Sequence, residues 1–142
     1  MIFSFNSAEL EEFALLSEKL PDNFKEMFVD TTIGVKVNVD HRTLLFDVTV
    51  QYIADEVSQM KIKGLFSMIV KKDSWENLID ENQVVFNKEI LHFLGQLSID
   101  TLRGMMVLKL NNTFLKNIIL PPINVKEILN EDLSFDLTNN DE

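Results

Sequence analysis

The residues that could do chemistry are few and scattered, beginning with the histidines. The chain of 142 residues has two histidines and no cysteine, which excludes thiolate zinc sites, disulfides and cysteine nucleophiles. His41 and His92 are far apart in the sequence, so a metal ion held by either would need carboxylates alone to complete its ligands. We therefore interpret His92 as an ordinary helix residue and predict no metal site.

Two pairs of adjacent carboxylates could in principle supply general acid and base catalysis. They are Asp55-Glu56 and Asp80-Glu81, and because neighbouring side chains usually point apart, we interpret both pairs as solvated charge. The chain has no glycine-rich phosphate loop, nucleophile elbow or Walker lysine, and its four glycines are scattered. The sequence supports no reaction, so we expect a protein that is not an enzyme and needs no cofactor.

Length and composition indicate one globular domain. A chain of 142 residues is about the size of one domain, and 46% hydrophobic residues exclude a wholly disordered protein. We find no signal-peptide pattern at the start and no apolar run near the roughly 20 residues that a membrane span needs. We therefore expect a soluble, cytoplasmic protein that does not insert into membranes.

The formal net charge of −10 is concentrated at both ends of the chain. Residues 1–32 carry seven acids and two lysines, residues 33–126 carry ten acids and eleven bases, and residues 127–142 carry six acids and no base. Because no basic stripe is available to displace counterions, the sequence predicts no binding to nucleic acid or anionic membrane. The acidic ends favour solubility, or alternatively form a docking surface for a basic partner.

Hydrophobic periodicity predicts a sheet in the first half of the chain. Alternation over Ile33–Asp40 indicates a half-buried strand, Leu45–Ile53 alternates more loosely, and Val57–Val70 is predicted as a long strand. Ile2–Leu20 is compatible with either a strand or a helix. Short links favour an antiparallel meander, and Gly64 inside a strand indicates a bulge or a close backbone approach.

The second half of the chain is predicted to be helical. Apolar residues at helical spacing extend from about Asn87, a good N-cap, to Leu110. A last short helix is predicted over about Val125–Leu133. The domain prediction is one domain over residues 1–133, followed by a disordered acidic tail over residues 134–142.

The most informative segment is Arg103–Asn124, in which a helix tail, a polar turn and an extended apolar run follow one another. The run is closed by Pro121-Pro122 and lacks strand alternation, so it must be covered by something. Its prolines hold the chain extended and remove donors that would invite a strand partner. Such a segment indicates a scaffold for binding polypeptide, and the 11 Phe and 6 Met residues add soft apolar surface, although core filling accounts for most of them.

At this point the residues resemble the SecB-like export chaperones. The best match covers Leu97–Leu129, which has a helix carrying Arg103, then Thr113-Phe114, then an extended Leu120-Pro121-Pro122-Ile123-Asn124, then a short helix. This is similar to that family's arginine-bearing helix, Gly-Thr-Phe turn, apolar run, Pro-Val-Asn and final helix.

Two further segments carry the resemblance. Gly64-Leu65-Phe66-Ser67-Met68 is similar to the family's Gly-Ile-Phe-Ser-Ile at the end of the fourth strand, and Val35–Val50 resembles its valine-rich second and third strands. The match covers most of the chain after Ile33. It depends on the order of the elements rather than on one specific motif.

The resemblance implies a fold, an assembly and an activity. The implied fold class is α+β, a four-stranded antiparallel sheet with one long and one short helix packed on one face. The implied assembly is a homotetramer, a dimer of dimers formed through strand and long-helix contacts. The implied activity, in bacterial protein transport, is ATP-independent holding of unfolded or partly folded polypeptide in long apolar grooves, without a cofactor.

The resemblance also implies candidate peptide-binding residues on the fourth strand and in the segment after the long helix. Two phenylalanines are the candidates for lining or shaping the groove, and a run of three aliphatic residues is the candidate for its floor. For each residue taken alone, core packing is the competing interpretation. The candidates are Phe66, Met68, Phe114, Ile118, Ile119 and Leu120.

In the exporting members of the family, acidic residues on the first and fourth strands dock the SecA motor. The matching positions fall near Leu15 and at Gln59, and neither is acidic. Glu18, Asp55 and Glu56 lie nearby and are the candidates for replacing them. The alternative function is a dedicated SecB-like binding protein for one client, such as an antitoxin, that is not coupled to the export motor.

Overall fold

Four long strands form an antiparallel sheet in the computed structural model, which describes residues 2–137. They are β1 Phe3–Leu15, β2 Met27–Asn38, β3 Thr43–Ala54 and β4 Val57–Val70. Their order across the sheet is β1-β4-β3-β2, so β1 and β2 are its edges and residues 16–26 connect one edge to the other. The ambiguous N-terminal segment is therefore a strand, and the predicted four-stranded antiparallel sheet is confirmed.

The sheet has one buried face and one open face, because side chains alternate along each strand. On β3 the even-numbered positions are completely buried, whereas odd-numbered neighbours such as Asp47 and Thr49 are only partly buried. The pairing register carries the same faces into the neighbouring strands, for example Val35 beside Phe46 beside Phe66. The buried residues of β3 are Leu44, Phe46, Val48, Val50, Tyr52 and Ala54.

One long helix covers much of the buried face. The chain forms α1 Lys72–Asn77, α2 Lys88–Leu110 and α3 Val125–Ile128. The Asn87 side chain accepts a hydrogen bond of 2.9 Å from the Ile90 N–H, which confirms the predicted N-cap of α2. α2 buries a stripe against the sheet that includes Leu91, Leu94, Ile99, Leu102 and Met106.

The last helix is shorter than the sequence predicted, since α3 ends at Ile128 rather than near Leu133. Leu129 leaves the helical conformation, with φ −106° and ψ 73°. Its carbonyl lies 2.6 Å from His92 Nε2 on α2. This contact and burial of the Leu129 side chain hold the chain against α2 where another helical turn would carry it away.

A small second sheet corrects part of the predicted tail. It contains β5 Ile79–Asp80, β6 Gln83–Phe86 and β7 Leu133–Asp136, in the order β5-β6-β7. The prediction of disorder is therefore wrong for residues 134–136, while residues 138–142 of the predicted tail lie outside the described residues.

Aromatic contacts explain why β7 is ordered despite its acidic surroundings. The Phe135 ring lies 6.1 Å from the Phe86 ring, which lies 6.2 Å from Trp75, both in edge-to-face geometry. Such ring pairs stabilise by about 0.5–1.5 kcal/mol beyond the area that they bury. The alternating apolar residues of β7 therefore outweigh its local charge.

Gly64 lies where β4 passes beneath α2 and beside a bulge on β1. Glu11 of β1 is the extra residue opposite Gly64 and Lys63. A Cβ at position 64 would lie 2.7 Å from the Phe66 ring and 3.2 Å from Leu102 Cδ1. Both predicted explanations for this glycine therefore apply. The close approach is at Gly64 itself, and the bulge is on the partner strand β1.

We expect Gly64→Ala to destabilise the protein by about 1–3 kcal/mol, because the new methyl group must displace the packed Phe66 ring. Gly34→Ala is the matched control, since a Cβ there meets only Asp47 at an ordinary 3.7 Å. Urea unfolding followed by the fluorescence of Trp75, the single tryptophan, measures both changes. Equal effects of the two substitutions would contradict the close approach at Gly64.

Candidate functional site

The chain after α2 forms a wall, residues 112–124, that begins with turns and returns along the helix. Thr113 makes the turn: its Oγ1 donates to the Leu110 carbonyl at 2.8 Å and accepts from the Leu115 N–H at 3.1 Å. Residues 118–124 then continue without helix or strand to α3. Four buried side chains at intervals of four or five residues anchor the wall and α3, namely Leu115, Leu120, Val125 and Leu129.

Arg103 ties α2 to the wall. Its Nε donates to the Leu120 carbonyl at 3.3 Å and its Nη2 donates to the Pro121 carbonyl at 3.2 Å. Its Nη1 pairs with Asp100 Oδ1 at 2.7 Å. The planar guanidinium thus bonds two successive carbonyls, which explains physically why an arginine on this helix precedes the proline pair.

The six residues predicted to contact peptide are divided between core and surface. Phe66 and Met68 are completely buried, because even-numbered positions of β4 face α2, and Leu120 is only 4% exposed. These three support the surface from beneath and are not accessible to a ligand. Ile119 is 71% exposed, while Phe114 and Ile118 are partly buried beside it in the wall.

A first open groove lies between α2 and the end of the wall. It has a volume of about 620 Å³, and its apolar lining comes from Phe93, Ile123 and Val125. Glu89 and Lys126 are among the polar residues at its border. The sequence offered one signal for Phe93, because it lies one residue before buried Leu94, about 100° around the helix and away from the buried stripe.

A second groove lies between α3 and the edge strand β2. It has a volume of about 340 Å³ and is lined by Ile33 and Val35 of β2 and by Ile128, Leu129 and Leu133. Within residues 2–137, no strand pairs with the outer edge of β2. The backbone donors and acceptors of that edge are therefore free to pair with an extended chain.

The three predicted docking acids lie exposed at one end of the main sheet. Asp55 and Glu56 form the β3–β4 turn and both have left-handed φ values, 48° and 68°, which a tight hairpin turn requires. Asp55 Oδ1 also accepts from the Lys25 N–H at 3.3 Å. Glu18 lies two residues after Leu16, whose N–H donates to the Gln59 carbonyl at 2.9 Å.

The side chain of Gln59 itself is completely buried. It lies at an irregularity of β4, where Ile53 pairs with Ser58 and Tyr52 pairs with Met60. The position that matches an acidic docking residue in the exporting chaperones is therefore neither acidic nor exposed here.

The open face of the sheet carries balanced charge. Lys63 Nζ lies 3.3 Å from Asp47 and 3.6 Å from Glu11, and Lys61 Nζ lies 3.7 Å from Glu12. The hydrogen bond to Asp47 is the main cause of a raised pKa for Lys63. Three acids of this face, Asp47, Glu11 and Glu12, thus have lysine partners.

Two other kinds of site receive no support from the described part of the chain. Residues 2–137 contain no group of three or more histidine, aspartate and glutamate residues placed to hold a metal ion. None of the helices in the same range has the length and apolar character required to cross a membrane.

Comparison with known proteins shows a likeness of fold. No protein-family model matches the sequence, and no curated protein matches it either. The structure is similar to the SecB-like chaperone Rv1957 of Mycobacterium tuberculosis, solved in complex with a ChAD peptide from the Rv1956 HigA1 antitoxin, with a TM-score of 0.56 and 9% identity. The match covers 85% of this chain and 90% of that chain. The predicted SecB-like α+β fold is confirmed, as a distant likeness.

Tyr52, the only tyrosine of the chain, provides a test of the packing beneath the wall. Its hydroxyl is buried without a hydrogen-bond partner among the described residues. Burial raises the pKa of Tyr52 to about 12, although the nearby Arg103 cation lowers it in part. We expect the ultraviolet absorbance of the folded protein to show no phenolate near pH 10.

The same shift makes a stability prediction. Because the folded pKa lies above the unfolded value, the stabilisation is complete below about pH 10 and is lost as the pH rises toward 12, by at most about 1.4 kcal/mol per pH unit. Tyr52→Phe should remove this part of the pH dependence. Ordinary tyrosine titration in the folded protein would contradict the buried position.

Proposed function

We propose that the chain is an ATP-independent holdase that binds unfolded or partly folded polypeptide in the cytoplasm. One observation carries this proposal: the chain from the wall through β7, held by Arg103 and by Pro121-Pro122, borders two open grooves, the first largely apolar and the second of mixed polarity. The fold is also that of a chaperone solved with a bound peptide. The residues found at these grooves are suited to contact rather than to reaction.

The two grooves would hold an extended client by different means. At the first, Phe93 and Ile123 offer apolar contact to large side chains, and nearby Glu89 and Lys126 bind polar ones. At the second, the free edge of β2 would form main-chain hydrogen bonds, while Ile33 and Val35 take alternate side chains. Main-chain pairing is independent of sequence, so this arrangement suits many clients and needs no nucleotide.

A dedicated binding protein for one client is the second candidate. The buried, uncharged Gln59 and the apolar Leu15 stand where exporting chaperones have acids that dock SecA, which argues against coupling to that motor. Glu18, Asp55 and Glu56 remain the candidates for a replacement. The peptide bound to the structurally similar chaperone comes from an antitoxin, which makes an antitoxin the natural class of single client.

We further propose assembly into a homotetramer, a dimer of dimers. The outer edge of the 13-residue strand β1 is unpaired within residues 2–137. On the outer side of α2, Val107 and Leu108 are exposed, the latter by 81%. Gly104 lies on the same helix, and nothing stands within 4 Å of where its Cβ would be. A second copy packed closely on α2 would account for both the apolar residues and the glycine.

The holdase should delay aggregation of a chemically unfolded model protein diluted from denaturant, as measured by light scattering without ATP. The double variant Ile119→Ser/Ile123→Ser should need a several-fold higher concentration for the same protection, because it loses apolar contact area along the wall. Ile79→Ser, at an exposed isoleucine of β5, is the matched control. The proposal fails if the unaltered protein gives no delay at one tetramer per client.

Capture of partners from the native host separates the two candidates. A general holdase should bring down many proteins, whereas a dedicated protein should bring down one in excess of all others. Whichever result is found, the wall variant should capture fewer partners and its control should not. That difference would assign the binding to the wall.

Assembly should be visible by light scattering as a particle of about 66 kDa, four times the 16.4 kDa of one chain. Leu108→Asp should reduce this mass, and Ile79→Asp should not. Gly104→Ala should stabilise an isolated α2 by up to about 1 kcal/mol, yet weaken an assembly in which helices cross there. A monomer at all concentrations would contradict the tetramer.

A further inference from the structure

A positively charged pocket lies at the end of the main sheet that is opposite the acidic Asp55-Glu56 turn. It has a volume of about 380 Å³, at the junction of β1, the β2–β3 turn and the start of α1. Its lining includes the cations Arg42, Lys71 and Lys72, which we name the basic corner. Apolar lining residues in the same pocket include Ile2, Phe3 and Ile69.

Backbone hydrogen bonds between three separate segments bring the cations together. The Val70 N–H donates to the Arg42 carbonyl at 2.9 Å, and the Lys71 N–H donates to the Ile2 carbonyl at 2.9 Å. The Ile2 N–H in turn donates to Ser74 Oγ on α1 at 2.8 Å. The basic corner is thus fixed by pairing at the end of the sheet and does not depend on flexible loops meeting by chance.

The basic corner has no counter-charge within the described residues. None of its three cations forms an ion pair there, although other lysines of the sheet do so with Asp47, Glu11 and Glu12. Asp40 and Asp73 are the nearest acids in sequence, and neither lies within 4.0 Å of a basic-corner cation, since no such pair forms. A chain with net charge −10 therefore has a local site of positive potential, which attracts anions that the remaining surface repels.

We propose that the basic corner binds an acidic segment of a partner polypeptide. Carboxylates of the segment pair with Arg42, Lys71 and Lys72, and an aliphatic side chain between them packs on Ile2 and Ile69. The apolar part of the lining favours peptide over nucleic acid, because a sugar-phosphate backbone has no matching apolar group. Three cations in one pocket also fall short of the basic stripe that tracks a nucleic-acid strand.

No residue lines both this site and either groove, although its Phe3 ring lies 5.8 Å from the Phe93 ring of the first groove, so the two sites are neighbours. Because the lining residues are distinct, an acidic partner would bind while a client occupies the wall. It would approach a corner of the sheet where three cations attract it.

The test uses a fluorescent peptide of alternating aspartate and leucine, with an asparagine–leucine peptide of the same length as the neutral control. Fluorescence anisotropy should show saturable binding of the acidic peptide alone, weakened by added salt. The triple variant Arg42→Gln/Lys71→Gln/Lys72→Gln should weaken binding about tenfold or more. If it fails to fold by circular dichroism, Arg42→Gln and Lys72→Gln tested singly should each weaken binding.

A charge-matched variant, Lys25→Gln/Lys36→Gln/Lys116→Gln, changes three exposed lysines outside the basic corner. It should alter binding less than about twofold. Equal losses in the two triple variants would overturn the proposal, as would equal binding of the neutral peptide. Displacement of the acidic peptide by inorganic phosphate or by short RNA at similar concentrations would also overturn it, in favour of a general anion site.

The holdase assay distinguishes this proposal from the function proposed above. The basic-corner variant should still delay aggregation of the model client, because the wall and both grooves are unchanged. Acidic-peptide binding without holdase activity would remove the proposed function and leave the basic corner standing.

Discussion

The whole molecule depends on covering one face of a four-stranded sheet with too little helix. Four strands spaced by about 4.8 Å make a face roughly 15–20 Å wide, whereas one helix is about 10–12 Å across. α2 crosses this face and contacts β1 at both ends, with Phe93 against Phe3 and Lys109 over Phe13. Between these ends, Leu102 lies beside Gly64 of β4. The rest of the face must be covered by chain that is not a long helix.

The wall and α3 cover the rest of the face, and the two grooves lie where this segment meets α2 and β2. Leu115, Leu120, Val125 and Leu129 place one buried side chain in the core every four or five residues, and the residues between them remain at the surface. Arg103 satisfies two wall carbonyls that no helix or strand would satisfy, and the prolines beside it have no N–H to leave unpaired. Between the buried anchors the irregular backbone leaves Ile119 exposed and Ile118 partly exposed.

The sequence predicted the elements whose local pattern and tertiary environment agree. The alternating valines of β2 and the N-cap of α2 are such cases. β1 remained ambiguous because two bulges, at Asn6 and Glu11, break its alternation. β7 was missed because its stability depends on contact with Phe86, about 50 residues earlier in the chain, which local composition does not record.

The site was harder to predict than the fold, because exposure is a property of the assembled layers. Phe66 and Ile119 are both apolar residues in motifs that resemble a family pattern, yet one lies under α2 and the other is open to solvent. The basic corner required three distant segments to meet, and no spacing along the chain between Arg42 and Lys71 indicates that they do. The family resemblance indicated segments of the chain, but it could not distinguish the buried side chains in them from the exposed ones.

The strand order has a consequence for how the chain is made. β1 is synthesised first, but its only partner in the main sheet is β4. Its apolar side chains therefore remain exposed until residues 57–70 and then α2 have been synthesised. Pairing across such a separation in sequence slows folding and prolongs the exposure of sticky surface. A protein proposed to shield unfinished chains thus passes through a stage in its own synthesis when it resembles one of them.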